Sequence, residues 1–178
     1  MDKDINHILY DEQQLRTRIA QLGKQLTDMF RDKNPLVICV LKGAFIFMAD
    51  LVKCMPVPLE IDFMVVSSYG KGSKTSGSVK INKDLDISAT GRHVVVVEDI
   101  IDSGITLNHL KKLLLHREAE SVTIVSLFDK PSRRTAEIEA DLVGFSIPDA
   151  FVVGYGLDYA ERYRNLPYVG VLKPELYS

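Results

Sequence analysis

The sequence predicts an α/β fold: a twisted parallel sheet flanked by helices, with a small cap and a loop long enough to serve as a lid. Two observations carry this. LVICVL (Leu36 to Leu41), VVVV (Val94 to Val97) and SVTIVSLF (Ser121 to Phe128) are apolar throughout, as strands covered on both faces must be. Between them lie helical stripes rather than tight hairpin turns, and parallel strands need such crossovers.

In chain order, Leu15, Ile19, Leu22, Leu26 and Met29 recur at helical spacing and form one apolar stripe. Asp11 followed by Gln14 resembles a capping box at the start of that helix. Leu36 to Leu41 is a buried strand, Lys42-Gly43 ends it, and AFIFMADLVKC is a second helix. Leu59, Ile61, Phe63 and Val65 alternate as in a strand, and Val79 to Ile81 is a short one. Val94 to Val97 gives the strongest strand signal, followed by the amphipathic helix Ile105 to His116 and the strand Ser121 to Phe128. In the C-terminal third, LVGF, FVVGYG and YVGVL are short strand-like pieces, assigned to a cap beside the main sheet. Ligands of such folds sit beyond the carboxyl ends of the strands, so the loops there carry the functional reading.

Without repeats or linkers, the 178 residues are expected to form one domain, 1–178, large enough to need no disulfide or structural metal. A hydrophobic share of 46% beside 26% charged residues is that of a globular chain. The net charge of −2 supplies no basic field for nucleic acid or an anionic membrane. No apolar run approaches the ~18 residues of a membrane span, and the polar start MDKDIN is no signal peptide. Cys39 and Cys54 lie in apolar segments without metal-ligand spacing and read as reduced thiols of a cytoplasmic protein. His7, His93, His109 and His116 form no short-range metal pair.

The chemistry concentrates in VVVVEDIIDSGIT, Val94 to Thr106. It runs from a buried strand through a tight loop into a helix, with Glu98, Asp99 and Asp102 expected to be exposed at the strand's end. Gly104 permits close backbone approach, Ser103 and Thr106 supply hydroxyls, and the N–H groups of the helix start favour a phosphate dianion. Paired carboxylates can accept from the two hydroxyls of a sugar diol, directly or through a divalent cation. A phosphate cradle beside a diol clamp describes a ribose 5-phosphate site. Simple helix capping would account for Asp102 or Ser103, yet leaves Glu98 and Asp99 after four valines without a purpose. No G-x-G-x-x-G follows a strand, and GSKT (Gly72 to Thr75) only superficially matches the other glycine-rich phosphate loop.

This string resembles the 5-phosphoribosyl 1-diphosphate motif of the type I phosphoribosyltransferases. LKG at Leu41 to Gly43, SSYG at Ser67 to Gly70, LFDKPSRR at Leu127 to Arg134 and FVVGYGLDYAERYRNLPYVGVL at Phe151 to Leu172 narrow the resemblance to the bacterial hypoxanthine-guanine branch. It covers nearly the whole chain in order. Some relatives carry a lysine in the phosphate loop where this chain has Ile105, which removes a side chain but leaves the backbone cradle.

The resemblance implies transfer of a phosphoribosyl group from 5-phosphoribosyl 1-diphosphate to N9 of a 6-oxopurine, with release of pyrophosphate. It implies Asp102 at purine N7 as general acid/base. Glu98 and Asp99 would order the ribose hydroxyls and one magnesium ion, and Ser103, Gly104, Ile105 and Thr106 would bind the 5′-phosphate. Lys42 and Gly43, Ser68 and Tyr69, and Arg164 fall on pyrophosphate-binding positions. Lys130 matches the donor to the 6-oxo group, Phe151 the aromatic stacked on the base and Val152 a backbone contact to its edge. Asp158 matches a residue near a second magnesium ion and the purine. Homodimers or homotetramers are the family's assemblies.

Ser68 to Ser78, with three glycines and two lysines, is longer than a hairpin connection and reads as a closing lid. Tyr155, Tyr159 and Tyr163 are assigned to packing, and Arg133 and Arg134 to solvent or a subunit contact. A regulator of the same fold that binds nucleic acid is the alternative from another class, and the mild acidity of the chain weighs against it. The resemblance implies that hypoxanthine, guanine and xanthine are told apart at the 2-position largely by backbone groups, which no residue code reveals.

Overall fold

In the computed structural model, residues 1–68 and 79–177 are described, and of Ser68 only the backbone. The elements are β1 (Ile5–Tyr10), α1 (Glu12–Phe30), β2 (Leu36–Leu41), α2 (Phe45–Lys53), β3 (Glu60–Ser68), β4 (Val79–Lys83), β5 (His93–Ile101), α3 (Ile105–His116), β6 (Ser121–Asp129), β7 (Leu142–Ser146), β8 (Val152–Val153) and β9 (Val169–Leu172). Six strands form the main sheet in the order β4-β3-β2-β5-β6-β7, all parallel except the edge strand β4. A second, antiparallel sheet has the order β1-β9-β8.

The unbroken apolar runs explain the layering. Along β2 and β5, Val37, Cys39, Val95 and Val97 face a core with α1 and α2, while Leu36, Ile38, Val94 and Val96 face a core with α3. Both faces are thus dry, as the lack of alternation requires. Asp11 caps α1 with the expected capping box, accepting from Gln14 N at 2.8 Å. The stripe it leads is buried at Leu15, Ile19, Leu22 and Leu26, but Met29 is exposed.

Three further expectations need correction. LVGF does not belong to the cap: β7 pairs with β6 in the main sheet, and Arg18 of α1 covers its outer edge by donating to the carbonyls of Val143 and Gly144. The cap instead recruits Ile5–Tyr10, a strand that the sequence pattern did not show. In β3 the expected strand is present, yet Ile61 and Phe63 face outwards while Met64 and Asp62 are buried.

Asp62 earns its burial by accepting from the backbone N–H groups of Phe63, Asp86 and Ile87 at 2.7–2.9 Å, which fixes the segment between β4 and β5. Burial alone would raise its pKa; the three amides and Lys83 outweigh that and hold it below the usual carboxylate range. Its contribution to stability is therefore present above the unfolded pKa of about 3.9 and is lost as pH falls through the lower folded value. Asp62→Ala should cost about 2–4 kcal/mol at neutral pH in a denaturant titration, with the difference from wild type shrinking towards pH 2.

Candidate active site

After β2 the chain crosses to β3 on one side, and after β5 it crosses to β6 on the other. Loops leaving adjacent parallel strands in opposite directions open a crevice at their carboxyl ends. Lys42-Gly43 follows β2 and Asp102–Gly104 follows β5, so the switch point brings together two of the segments singled out in the sequence.

Glu98 and Asp99 lie within β5 itself and are half-buried, not exposed beyond its end as expected. Glu98 Oε2 is buried without a hydrogen-bond partner. Asp99 Oδ1 accepts from Ile100 N at 2.7 Å. Burial, and then the charge of Asp99, push the Glu98 carboxyl well above its ordinary value. Burial also raises Asp99, to about 6, against the opposing pull of the Ile100 amide and the Arg164 charge. Two neighbouring acids of this kind, one with an orphaned oxygen, suit a divalent cation. Among the described residues, no three His, Cys, Asp or Glu side chains form a ready-made cage. Asp158 therefore does not join Glu98 and Asp99 in one ligand cluster; it is paired with Arg164 at 2.8 Å.

The loop after β5 is built to leave donors free. Gly104 sits at the N-cap of α3 with φ +79, a left-handed conformation natural to glycine, and no side chain caps the helix. Ile105 N makes only a long contact of 3.4 Å to Ser103 Oγ, and Thr106 lies in the first turn. A Cβ at Gly104 would strike the Ile138 side chain, so glycine is required by space as well as by φ. Ser103 O accepts from the amides of Thr135 and Ala136 at 3.0 and 3.1 Å.

Arg134, expected at the surface or a subunit contact, is mostly buried and braces this loop from behind. Its guanidinium donates to Asp102 O, Ile138 O and the Asp129 carboxylate. Nothing in the sequence around it separated Arg134 from the exposed Arg133 beside it. Arg133 is half exposed and lies 3.5 Å from both Asp102 and Asp149 carboxylates. Asp102 itself is exposed above the loop, where its charge acts on Lys130.

Lys130 is buried at 6% exposure and donates to Ala150 O at 2.7 Å. Burial lowers its pKa, an effect opposed by Asp102 and Asp149. Phe151 packs face to face on Tyr177 and edge-on against Tyr159, with centroids 4.7 and 5.5 Å apart. Val152 is buried in the ladder with Val171.

On the opposite wall, the peptide between Leu41 and Lys42 is cis. Lys42 Nζ reaches Glu161 at 3.1 Å. Arg164 donates to Gly156 O at 2.8 Å, while its Nε is buried without a partner. The backbones here touch: a Cβ at Gly43 would overlap the Asp99 carboxylate, and one at Gly156, φ +101, would overlap Gly43 O. The segment read as a lid, including Tyr69, lies outside the described residues, and Ser68 contributes only its place at the end of β3.

A model of the phosphoribosyl transferase domain matches residues 6–160. The chain belongs to the phosphoribosyltransferase family. It is 58% identical over its full length to a hypoxanthine-guanine phosphoribosyltransferase of Bacillus subtilis, covering 99% of that protein. It is also 58% identical to a bifunctional protein TilS/HprT of Listeria monocytogenes, of which it spans 28%. Among solved structures, a hypoxanthine phosphoribosyltransferase of Staphylococcus aureus superposes with a TM-score of 0.97 at 48% identity, covering all of this chain and 97% of that one. The family's α/β architecture, with a central parallel sheet between helices, is thus the one expected from the sequence.

Gly156→Ala should destabilise the protein by about 2–4 kcal/mol, since it combines a left-handed backbone with a clash against main chain that cannot swing away. A thermal melt within a degree of wild type would show that the two loops separate at little cost.

Proposed function

We propose that the protein serves purine salvage by transferring the 5-phosphoribosyl group from 5-phosphoribosyl 1-diphosphate to N9 of hypoxanthine, guanine or both, giving IMP or GMP and pyrophosphate. One observation carries this reading: a paired acid site, an uncapped helix start and a buried lysine face one crevice at the sheet's switch point. The close relatives named for this reaction support it.

In this reading the amides of Gly104, Ile105 and Thr106, with the Ser103 and Thr106 hydroxyls, hold the 5′-phosphate at the positive end of α3. Glu98 and Asp99 would bind the ribose diol and fit magnesium, because Glu98 Oε2 is buried without a hydrogen-bond partner and so hydrated an ion takes most of its ligands from water and substrate. The ion would screen the diphosphate as charge accumulates on it. Lys42, Gly43, Ser68, Tyr69 and Arg164 surround the leaving group, with Arg164 exchanging protein carboxylates for phosphate oxygens. Asp158 would serve the base and a second ion once Arg164 turns to phosphate.

Lys130 keeps one N–H on Ala150 O and has two more for the 6-oxo group. Phe151 stacks on the base, its ring already fixed by Tyr159 and Tyr177. Val152 offers main-chain groups to the base edge. Asp102 stands within the field of Lys130 and accepts the purine proton at N7. The residues catalyse by positioning and by fixed charges aimed at an oxocarbenium-like centre.

We place the enzyme in the cytoplasm, where the free thiols Cys39 and Cys54 stay reduced. We also propose that it assembles as a homodimer or homotetramer, which the exposed Phe45, Ile61 and Phe63 support. The regulatory alternative gains nothing from this geometry.

A pyrophosphate-release assay across bases tests the function. Hypoxanthine or guanine should react well and adenine about 10⁴-fold less, because its amino group would meet the Lys130 donors head on. Excess EDTA should abolish turnover, and full activity there would remove the metal from the scheme. Asp102→Asn should lower kcat by about 10²–10⁴ while affinity for the sugar diphosphate changes little, since that cradle is mainly backbone. A collapse of affinity with kcat preserved would assign Asp102 to structure instead.

A further inference from the structure

Tyr155, assigned above only to packing, is buried at 7% exposure in the core shared with α1 and α2. Its hydroxyl donates to Asp50 Oδ2 at 2.5 Å, across 105 residues of chain. We infer that this hydrogen bond is a positioning device, which keeps the loop bearing Asp158 and Arg164 in register with the Lys42-Gly43 turn and so shapes the diphosphate end of the site. The inference rests on the phosphoribosyl-transfer reading and deepens it.

The loop is a body of its own. Tyr155 N donates to Leu166 O, Gly156 N to Arg164 O and Arg164 Nη1 back to Gly156 O, each at 2.8–2.9 Å. Asp158 is tied inside the same body to Arg164 and to Glu161 N. Because its parts are bonded to one another, the loop moves as a unit. Its relation to the rest of the site depends on what leaves it, and the Tyr155 ring does so.

That ring ends on α2, the helix into which the Lys42-Gly43 turn leads directly, with Phe45 N bonded to Lys42 O at 3.4 Å. A helix transmits displacement along its axis with little bending, so fixing Asp50 fixes the turn. The two loops meet at Gly156 on Gly43 O, and Gly43 in turn lies against the Asp99 carboxylate. Tyr155 and Asp50 therefore clamp a stack of three segments that supply the diphosphate and cation contacts. The clamp touches none of Lys130, Phe151 and Val152, which sit on β8 and in the turns beside β6 and β8; of the residues assigned to the base, only Asp158 rides on the clamped loop.

The chemistry favours a persistent bond. Burial and the adjacent Asp50 push the Tyr155 phenol above its ordinary value, so it remains a neutral donor. Burial of Asp50 is outweighed by Lys53 at 2.6 Å and by the Tyr155 hydroxyl, which keep it ionised. A hydroxyl donating to a carboxylate is among the stronger neutral-to-charged pairs. A cavity of about 510 Å³ lies beside the clamp, lined in part by Arg16, Lys53 and Asn165, so loss of the bond would leave the ring room to move.

The test is steady-state kinetics and thermal melting of the full chain for wild type, Tyr155→Phe, Asp50→Ala, Asp50→Asn and the double variant Tyr155→Phe/Asp50→Ala. KM for 5-phosphoribosyl 1-diphosphate should rise about tenfold in Tyr155→Phe and Asp50→Ala, whereas KM for hypoxanthine stays within about twofold. The double variant should be no worse than either single one, as expected of two ends of one bond. Asp50→Asn should recover most of the loss, because its amide oxygen still accepts. Asp50 is half exposed on a helix surface, so Asp50→Ala keeps the test open if Tyr155→Phe fails to fold. A lower melting temperature with an unchanged sugar-diphosphate KM, equal shifts in both KM values, or additive effects would each overturn the inference. If wild type turns over but the variants are indifferent, only the clamp falls; if wild type turns over no 6-oxopurine, both readings fall.

Discussion

Glu98 and Asp99 are consecutive acids in a strand whose other residues are nearly all apolar, and their carboxylates are half withdrawn from water. Like charges at such a distance cannot both ionise freely without a cation. Because burial lifts Asp99 to about 6, above the value it would have unfolded, the folded chain holds the proton longer than the unfolded one. Stability without a cation therefore falls as pH rises from about 4 through 6, the reverse of Asp62. In the proposed reading a divalent ion would remove that penalty by replacing the proton. The rest of the crevice is arranged around this deficit: Gly43 has no side chain so that its turn can lie on Asp99, and Arg164 is near enough for its charge to lower the Asp99 pKa.

The central strands are the means of keeping so unfavourable a pair in place. β5 is bonded on one side to β2 and on the other to β6, and the paired register on the β6 side runs past Glu98 to Ile101. On the β2 side it ends at Cys39 opposite Val97, one residue before the acids. The ladder on one side holds the strand extended, while its absence on the other leaves space for the Lys42-Gly43 turn. The switch in strand order thus creates both the crevice and the one-sided support that the acids need.

How much of this was legible depended on whether the signal was local. β2 and α3 appear with the bounds that the sequence implies, because each is an unbroken apolar run or stripe closed by glycine or a polar residue. The strand-loop-helix course from Val94 to Thr106 was equally clear, since strand, acids, glycine and helix start follow one another within thirteen residues. What remained hidden depended on partners far away in sequence. β1 exposes His7 and Ile8 and acquires its strand character from β9, at the other end of the chain. The outward face of Ile61 and Phe63 could not be told from alternation alone, because a pattern of period two gives the faces but not which one is covered. Arg134 looked like any surface arginine until the loop that it braces was placed beside it. Tyr155 was rightly assigned to packing, but its hydroxyl partner was invisible from sequence.

The two ends of the site then differ in kind. In the proposed reading the phosphate end consists of main-chain donors at the start of α3, in a loop held by the Thr135 and Ala136 amides, by the Arg134 side chain and by Gly104, which has no room for a Cβ. Such a cradle recognises charge and shape and tolerates variation of its side chains, which is why Ile105 can stand where some relatives have lysine. The proposed base end would rely on a buried ammonium, a stacked ring and a short ladder, each dependent on side-chain identity or strand register. A buried donor left unmatched costs far more than an apolar misfit, so discrimination resides there. On that reading, affinity for the shared sugar diphosphate and choice among bases would be separated in the fold. Substitutions on the Lys130 wall would then change which base reacts without rebuilding the part of the site that every base must use.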